Sequence, residues 1–551
     1  MASNGSATNR ADEETPLPQE ENNPPEVPTS ANGDTVTVPT TEQTIIPDEI
    51  STRRLVLTLG SIYVGVFLGA LDSTIIATLS APISTSFNSL SLLSWFASAY
   101  LIANAACQPL SGRLTDIFSR RTGLVVSNVL FCAGNLICGL AKEEWIMIAG
   151  RVVAGMGGGG LMAIGTFVGS DLVPLRKRGL IQGIGNICYG SGAGLGGIFG
   201  GWVNDTWGWR YAFLVQVPLI IVSGILVFIT VDIPPKKSEK SKLSRVDFLG
   251  ATSLTITLVL LLLGLNSGGN LVPWTHPLVL VSLPLSLASL AAFIYIEGYI
   301  ASEPVIPVKL LLNRTVAAAC LCNWFCNMVQ FIILFYIPIF YQAKGLSTTA
   351  AGLRLIPQSI GSSFGSLSCG LIMKATGKYK ILSILYLASF VLGTGLICTL
   401  SFSAPAWPGS IYQFLVGNGY GGMLTVTLIA VISAVSHEHQ AVITSATYAF
   451  RSTGSTIGVT IGSAVYQNLL LSGLHRRFDS FPGANEEIGR ILDSFDELKH
   501  LPAGWEGGVL RSYEESLKGV FLTGLGIAVL GFGVAMGMRE NRLSSRLGGR
   551  D

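Results

Sequence analysis

Gly112-Arg113-Leu114-Thr115-Asp116-Ile117-Phe118-Ser119-Arg120-Arg121 is a short charged hairpin between two long apolar runs. It sets one carboxylate among three arginines in a chain with only 12% charged residues. A degraded copy lies downstream at Gly370-Leu371-Ile372-Met373-Lys374-Ala375-Thr376-Gly377-Lys378. In both copies a glycine is followed four residues later by a charge (Asp116, Lys374) and eight residues later by a base (Arg120, Lys378). A duplicated hairpin between apolar helices points to a membrane protein built from two related halves.

Composition agrees. The 551 residues are 49% hydrophobic, with a mean hydropathy of +0.54. Soluble domains carry about 25% charged residues, and one core cannot bury this much apolar chain. Runs of about 20 apolar residues, the length that crosses a bilayer, recur along the sequence. Fourteen spans are predicted, at 55–79, 91–112, 122–140, 145–170, 179–202, 210–231, 246–265, 277–299, 315–342, 348–372, 380–401, 408–434, 441–471 and 516–538. With the N-terminus in the cytosol, the inward segments hold 23 Lys and Arg and the short outward loops 3. This asymmetry predicts that both termini are cytosolic. The net charge of +2 does not suggest a nucleic-acid partner, because the bases sit in short loops. A lipid bilayer, protons and a small-molecule substrate are the expected partners of a monomeric chain.

The organisation follows. Residues 1–52, rich in Pro, Glu, Thr and Asn, are expected to be a disordered cytosolic tail. No signal-peptide core precedes the first span, which is expected to direct insertion. A six-helix bundle is expected over 53–231, a linker with two extra spans over 232–314, and a second six-helix bundle over 315–540. Residues 472–515 are expected to form a long outward loop, and 541–551 a cytosolic tail. The repeat supports this division. Arg151 is followed by Gly155, Gly157, Gly159 and Gly160, and Gln413 by Gly417, Gly419, Gly421 and Gly422, at an offset of 413 − 151 = 262. Gly192, Gly196 and Gly200 recur as Gly454, Gly458 and Gly462 at that same offset.

The nine cysteines all fall in apolar runs and suggest neither a disulfide framework nor a metal site. There is no phosphate-binding loop, zinc spacing or nucleophile elbow, so neither an enzyme nor a cofactor is expected.

These motifs together resemble the major facilitator superfamily, in its fourteen-spanner drug:proton antiporter branch. The family's loop signature is met by Gly112, Asp116, Arg120 and Arg121, with Ser119 replacing its second glycine and Ile117 its usual base. Its span-4 arginine matches Arg151, and its span-1 motif is present as Leu71-Asp72-Ser73-Thr74. Its antiporter motif is matched by Gly183, Gly192, Gly196, Gly200 and Gly201, with Gly197 standing where proline is usual. The run Gly208-Trp209-Arg210-Tyr211-Ala212-Phe213-Leu214-Val215-Gln216-Val217-Pro218 and the acidic, Pro-rich tail are similar to fungal vacuolar basic amino acid transporters. The resemblance implies an all-α fold of two six-helix bundles plus two inserted helices. It implies proton-coupled export of cationic solutes, basic amino acids foremost, into the vacuole. Efflux of drugs or fungal metabolites at the plasma membrane is the alternative within transporters. A non-transporting membrane sensor is the alternative of another class, but it usually carries a long folded extension.

Candidate site residues follow from the cost of polarity in lipid. Asp72 is the only Asp or Glu well inside a predicted span, so it should face a cavity and a partner. Arg151 lies at similar depth in the outer half, and the two are expected to form the proton or cation site. Arg451, near mid-membrane with no carboxylate of its own half deep enough to meet it, is expected to line the cavity or to be structural. Asn323, Asn327 and Gln330 share one helix face, as do Gln182 and Asn186. With Asn104 they are expected to line the substrate cavity, though amide stripes also glue helices. Trp324, Phe325, Phe331 and Phe335 could give it an aromatic wall. Asp116, with its neighbouring arginines, is expected to act as a gating latch.

Overall fold

The computed structural model describes residues 51–540, except 88–92, 174, 234–246, 269–271, 302–307, 406, 437–438, 482, 494–500 and 503. Both predicted tails lie outside the described residues. The first set of helices comprises α1 (Thr52–Phe87), α2 (Leu93–Ile117), α3 (Arg120–Leu140), α4 (Glu144–Leu172), α5 (Leu175–Trp207), and α6 (Trp209–Leu214) running into α7 (Gln216–Thr230). Next come α8 (Phe248–Ser267) and α9 (Pro277–Tyr295), packed on each other, and a single turn, α10 (Val308–Leu311). The second set comprises α11 (Arg314–Ala343), α12 (Thr348–Leu353), α13 (Ile356–Thr376), α14 (Lys380–Ile397), α15 (Trp407–Ser433), α16 (Gln440–Phe478), α17 (Ala484–Asp493) and α18 (Glu506–Ala535).

Among the described residues, eleven helices are long and apolar enough to cross a membrane. The fourteen predicted spans all coincide with helices, but α2, α5 and α13 are not among the eleven. Each of the three carries amides or serines where the others carry leucine. They are also the helices through which the two sets meet, α5 on α13 and α2 on α16. α8 packs on both α2 and α16.

Glycine decides how the helices sit. A Cβ at Gly155 would run into the Tyr100 carbonyl on α2, and one at Gly157 into the backbone of Ser127 and Phe131 on α3. α4 is therefore sunk between α2 and α3. In the second half Gly417 abuts Gln358 and Gly421 abuts Ser362, both on α13, while Gly419 abuts Tyr386 and Phe390 on α14. The partners recur at fixed offsets: 258 for α2 and α13 (358 − 100, 362 − 104), and 259 for α3 and α14 (386 − 127, 390 − 131). Gly192 and Gly196 meet the carbonyls of Phe67 and Leu71 on α1, while Gly454 and Gly458 meet those of Trp324 and Met328 on α11. The offset there is 257 (324 − 67, 328 − 71). Val329 on α11 thus stands where Asp72 stands on α1, and Gln413 where Arg151 stands on α4.

Three predicted elements differ. The span at 210–231 is two helices that meet at Val215, because Pro218 has no N–H for the Leu214 carbonyl. The span at 348–372 breaks at Arg354 and Leu355, with Pro357 in the first turn of α13. Segment 472–515 is not a loop: α16 runs on to Phe478, α18 begins at Glu506, and α17 lies between them. An apolar cluster holds this cap together. Phe478 stacks on Trp505 at 4.1 Å, and Ile488, Ile491 and Tyr513 are buried beside them.

The duplicated hairpins differ in their turn chemistry. Ser119 caps α3, accepting a hydrogen bond from Thr122 N at 3.0 Å, on extended backbone that needs no glycine. At the same offset of 258 (377 − 119), Gly377 ends α13 in the left-handed region (φ 68°).

Topology can be read by labelling. Thr376, after α13, and Ser403, before α15, are exposed at opposite ends of the bundle, while all nine native cysteines are free and buried or half-buried. In sealed vesicles with the cytosolic face outward, an impermeant maleimide should modify Thr376→Cys at once. It should reach Ser403→Cys only after permeabilisation. The reverse order would refute cytosolic termini.

Candidate functional site: a polar crevice between two helix sets

A crevice enclosing about 990 Å³ of empty space, its mouth included, lies between the two sets. It is lined from α1, α2, α4, α5, α11, α15 and α16. On α4 and α15 the lining residues include Thr166 and Ile432, near those helices' C-terminal ends. On α1, α5 and α16 they include Tyr63, Gln182 and Tyr448, toward the N-terminal ends. The crevice therefore occupies the half of the bundle where α1 begins. The far half is shut by backbone contact. A Cβ on Gly352 would lie 3.0 Å from the Gly197 carbonyl, and Thr349 Oγ1 donates to Asp205 Oδ2 at 2.8 Å.

Of the residues expected there, Asn104, Gln182, Asn186, Asn327 and Arg451 line the crevice. Asn323 and Gln330 do not. Asn323 donates to the Ala319 carbonyl of its own helix, and Gln330 accepts from Gln358 Nε2 at 3.0 Å. The helical spacing gave the right face but could not give the depth at which the crevice reaches α11. Phe331 lines it, whereas Trp324, Phe325 and Phe335 do not.

Sequence reasoning missed most of the aromatic lining: Tyr63, Tyr100, Tyr189, Tyr420 and Tyr448. One signal was present, since Tyr448, Arg451, Ser452 and Ser455 fall on one helical face. Polar bonds join the halves across the crevice. Ser452 Oγ donates to Gln108 Oε1 at 2.8 Å, Asn186 Nδ2 to Ser366 Oγ at 2.8 Å, and the Thr166 and Tyr448 hydroxyls meet at 2.5 Å. Gln108 and Ser366 are themselves equivalent by the 258 offset (366 − 108).

Asp72 and Arg151 do meet, Oδ2 to Nη1 at 2.7 Å, but not in the crevice. Both are 0% exposed. Arg151 Nε donates to the Phe96 carbonyl at 3.0 Å, and its guanidinium lies 4.4 Å from the centre of the Tyr100 ring. Gln216, which sequence reasoning passed over, comes within hydrogen-bonding reach of Asp72 from α7. Asp72 Oδ1 and Arg151 Nη2 are buried without a protein partner. Tyr100 lines the crevice on one side and covers Arg151 on the other. The expectation of a water-facing acid is thus corrected for this conformation, in which an aromatic ring closes the pair off.

At the end where α1 begins, Arg120 Nε donates to Asp171 Oδ2 at 3.0 Å and Arg121 packs over Phe228 at 4.4 Å. The hairpin is thereby tied to the ends of α4 and α7. The side chains of Arg113 and Asp116, and the surroundings of Gly112, are not among the described parts. Gly200 and Gly201 divide their contacts, Gly200 facing Thr78 on α1 and Gly201 facing Thr349 across the halves.

Two helix sets with a repeated packing plan, meeting around a polar crevice inside an apolar body, define a membrane carrier of the two-bundle kind. The chain belongs to the Major Facilitator Superfamily, whose family profile matches residues 62–459. It is 36% identical over 519 residues to the Schizosaccharomyces pombe "Multidrug resistance protein fnx1", covering 92% of this chain and 98% of that one. It is 34% identical over 479 residues to the "Vacuolar membrane amino acid uptake transporter fnx2" of the same organism, covering 86% and 82%. The crystal structure of a bacterial homologue of the human lysosomal transporter Spinster, inward-facing and unoccupied, matches with a TM-score of 0.58 at 14% identity. It covers 89% of this chain and 98% of that one, a likeness of fold alone.

The sealed pair makes a stability prediction. Asp72→Val should leave the Arg151 guanidinium buried and uncompensated, at a cost of about 3–5 kcal/mol. The double variant Asp72→Val, Arg151→Gln copies what the second half already holds at Val329 and Gln413, and should recover most of that loss. Apparent Tm values of the purified variants check this, and a double variant no more stable than the single one would contradict it.

Proposed function

We propose that the chain is a proton-driven antiporter carrying small cationic solutes, basic amino acids foremost, from cytosol into the vacuole. The observation that carries the reading is the crevice itself, open toward one end of the bundle and shut at the other, as a carrier caught in one of two access states would be. Its amides and tyrosine faces suit a small polar solute with a cationic group, since ring faces attract cations. The similarity to a relative described as a vacuolar amino acid transporter supports this choice. In this reading Asp72 carries the proton, and Tyr100 must swing away before water reaches it. Latching by the hairpin around Asp116 and sliding along the glycine contacts of α5 belong to the same proposal. The crevice's tyrosines and Phe331 favour a second reading, efflux of aromatic drugs or metabolites, in keeping with the multidrug name of the other relative.

Vacuolar vesicles energised by a proton gradient should take up lysine, histidine or arginine, and lose that uptake when the gradient is collapsed. No uptake, together with drug sensitivity on deletion, would favour efflux. The double variant Asp72→Val, Arg151→Gln should abolish gradient-driven uptake even where it folds. Full uptake by a folded double variant would reduce the pair to a helix lock.

A further inference from the structure

We propose that Arg451 receives a carboxylate of the transported solute, so that the carrier recognises amino acids by their backbone end. This rests on the reading of the crevice as the solute site. Among the described residues that line it, Arg451 is the one charged side chain and none is Asp or Glu. Arg151, Arg120 and Arg477 have acids in Asp72, Asp171 and Glu515. The half-buried Arg121, Arg210 and Arg354, like Arg451, lie over aromatic rings, and of these Arg451 alone lines the crevice among the described residues. Arg451 sits among neutral tyrosines instead of acids. Its guanidinium lies 4.5 Å from the centre of the Tyr448 ring and within hydrogen-bonding reach of the Tyr420 hydroxyl. That hydroxyl donates its own proton to Asn327 Oδ1 at 2.8 Å, which leaves its oxygen to accept from Arg451.

The arrangement holds the guanidinium in place without neutralising it. An uncompensated charge at membrane depth is costly, and a planar fork of N–H donors matches a carboxylate with two parallel bonds. The charge is also one-sided. Tyr189 on α5 stands at the 262 offset from Arg451 on α16 (451 − 189), so the symmetry-related position is neutral. A bound solute therefore has a direction, with its carboxylate toward α16. Its cationic end then lies toward the Gln182 and Asn186 amides and the Tyr63 ring, with no carboxylate to fix it.

The test compares lysine with cadaverine, the same chain without its carboxylate, using full-length protein in nanodiscs. Glutamate and citrate serve as carboxylates of other kinds. Binding is read by ligand-dependent thermal shift and equilibrium titration, for wild type, Arg451→Gln and Arg451→Lys. Lysine should bind wild type about 10- to 100-fold more tightly than cadaverine, the scale of hydrogen bonds to a charged group. Arg451→Gln should erase that difference, and Arg451→Lys, which keeps the charge but not the fork, should retain part of it. Equal binding of lysine and cadaverine to wild type, or an unchanged preference in Arg451→Gln, would overturn the proposal. Should Arg451→Gln not fold, the wild-type comparison decides alone. Arg451-dependent binding of glutamate or citrate without lysine would sink the basic amino acid reading and uphold the role of Arg451. Failure of all three carboxylates to bind would end the proposal.

Discussion

Backbone-to-backbone contact at glycine is the constraint on which the rest depends. In lipid, apolar side chains gain little by leaving the solvent, so helices associate through close packing and polar bonds. α4 and α15 each lie in a groove where neighbouring carbonyls occupy the space a Cβ would need, at Gly155 and Gly157 in one and at Gly417, Gly419 and Gly421 in the other. The same contacts, repeated at offsets of 257 to 259 between equivalent helices, give the two halves one packing plan. Sinking α4 between α2 and α3 also carries Arg151 against Tyr100 and Asp72. The buried ion pair is thus a consequence of the glycine contacts as much as of its own attraction.

Where glycine does not draw the helices together, the halves separate and the crevice opens. Its walls come from helices that also hold the halves to each other, α5 against α13 and α2 against α16. These surfaces carry hydroxyl and amide bonds, Asn186 to Ser366 and Ser452 to Gln108, beside an apolar cluster that includes Ile102 of α2 and Ile457 of α16. Net hydrogen bonds of this kind are worth about 0.5–1.5 kcal/mol each. A change of access in the proposed cycle would have to break these bonds.

Much of this was legible in the sequence, for reasons tied to particular residues. Hydropathy and loop arginines located every long helix, including α5 and α13, whose polar composition hides them from apolarity alone. The glycine spacing at 262 disclosed the repeat through α4 and α5. The equivalence of α1 with α11 followed only from the order of the spans, because Phe67 and Trp324 share no motif and only their carbonyls take part. Of the three amides that one-face spacing put together on α11, Asn327 lines the crevice and Asn323 and Gln330 do not. Periodicity fixes the direction of a side chain, while depth depends on how far the halves part. The tyrosines were unreadable one by one, since a tyrosine in an apolar run is compatible with packing or lining. The cap at α17 was misread as loop because its apolar residues are few, and they are buried only against Phe478, Trp505 and Tyr513.

The two halves have resolved their shared plan differently, and the difference bears on how charge moves. The first half keeps an acid and a base at Asp72 and Arg151, buried against each other. The second holds Val329 and Gln413 at those places and has its charge instead at Arg451, facing the crevice. A neutral ion pair beside a positively charged crevice is stable only while the pair stays closed. If Asp72 takes up a proton, the bond to Arg151 weakens and a second positive charge stands behind the Tyr100 ring. In the proposed reading a basic amino acid, cationic overall, would then be held less strongly, so that proton and solute oppose each other as exchange requires. In that reading the electrostatics would couple the protonation of one half to the occupancy of the other through the crevice they share, with no direct contact between Asp72 and the solute.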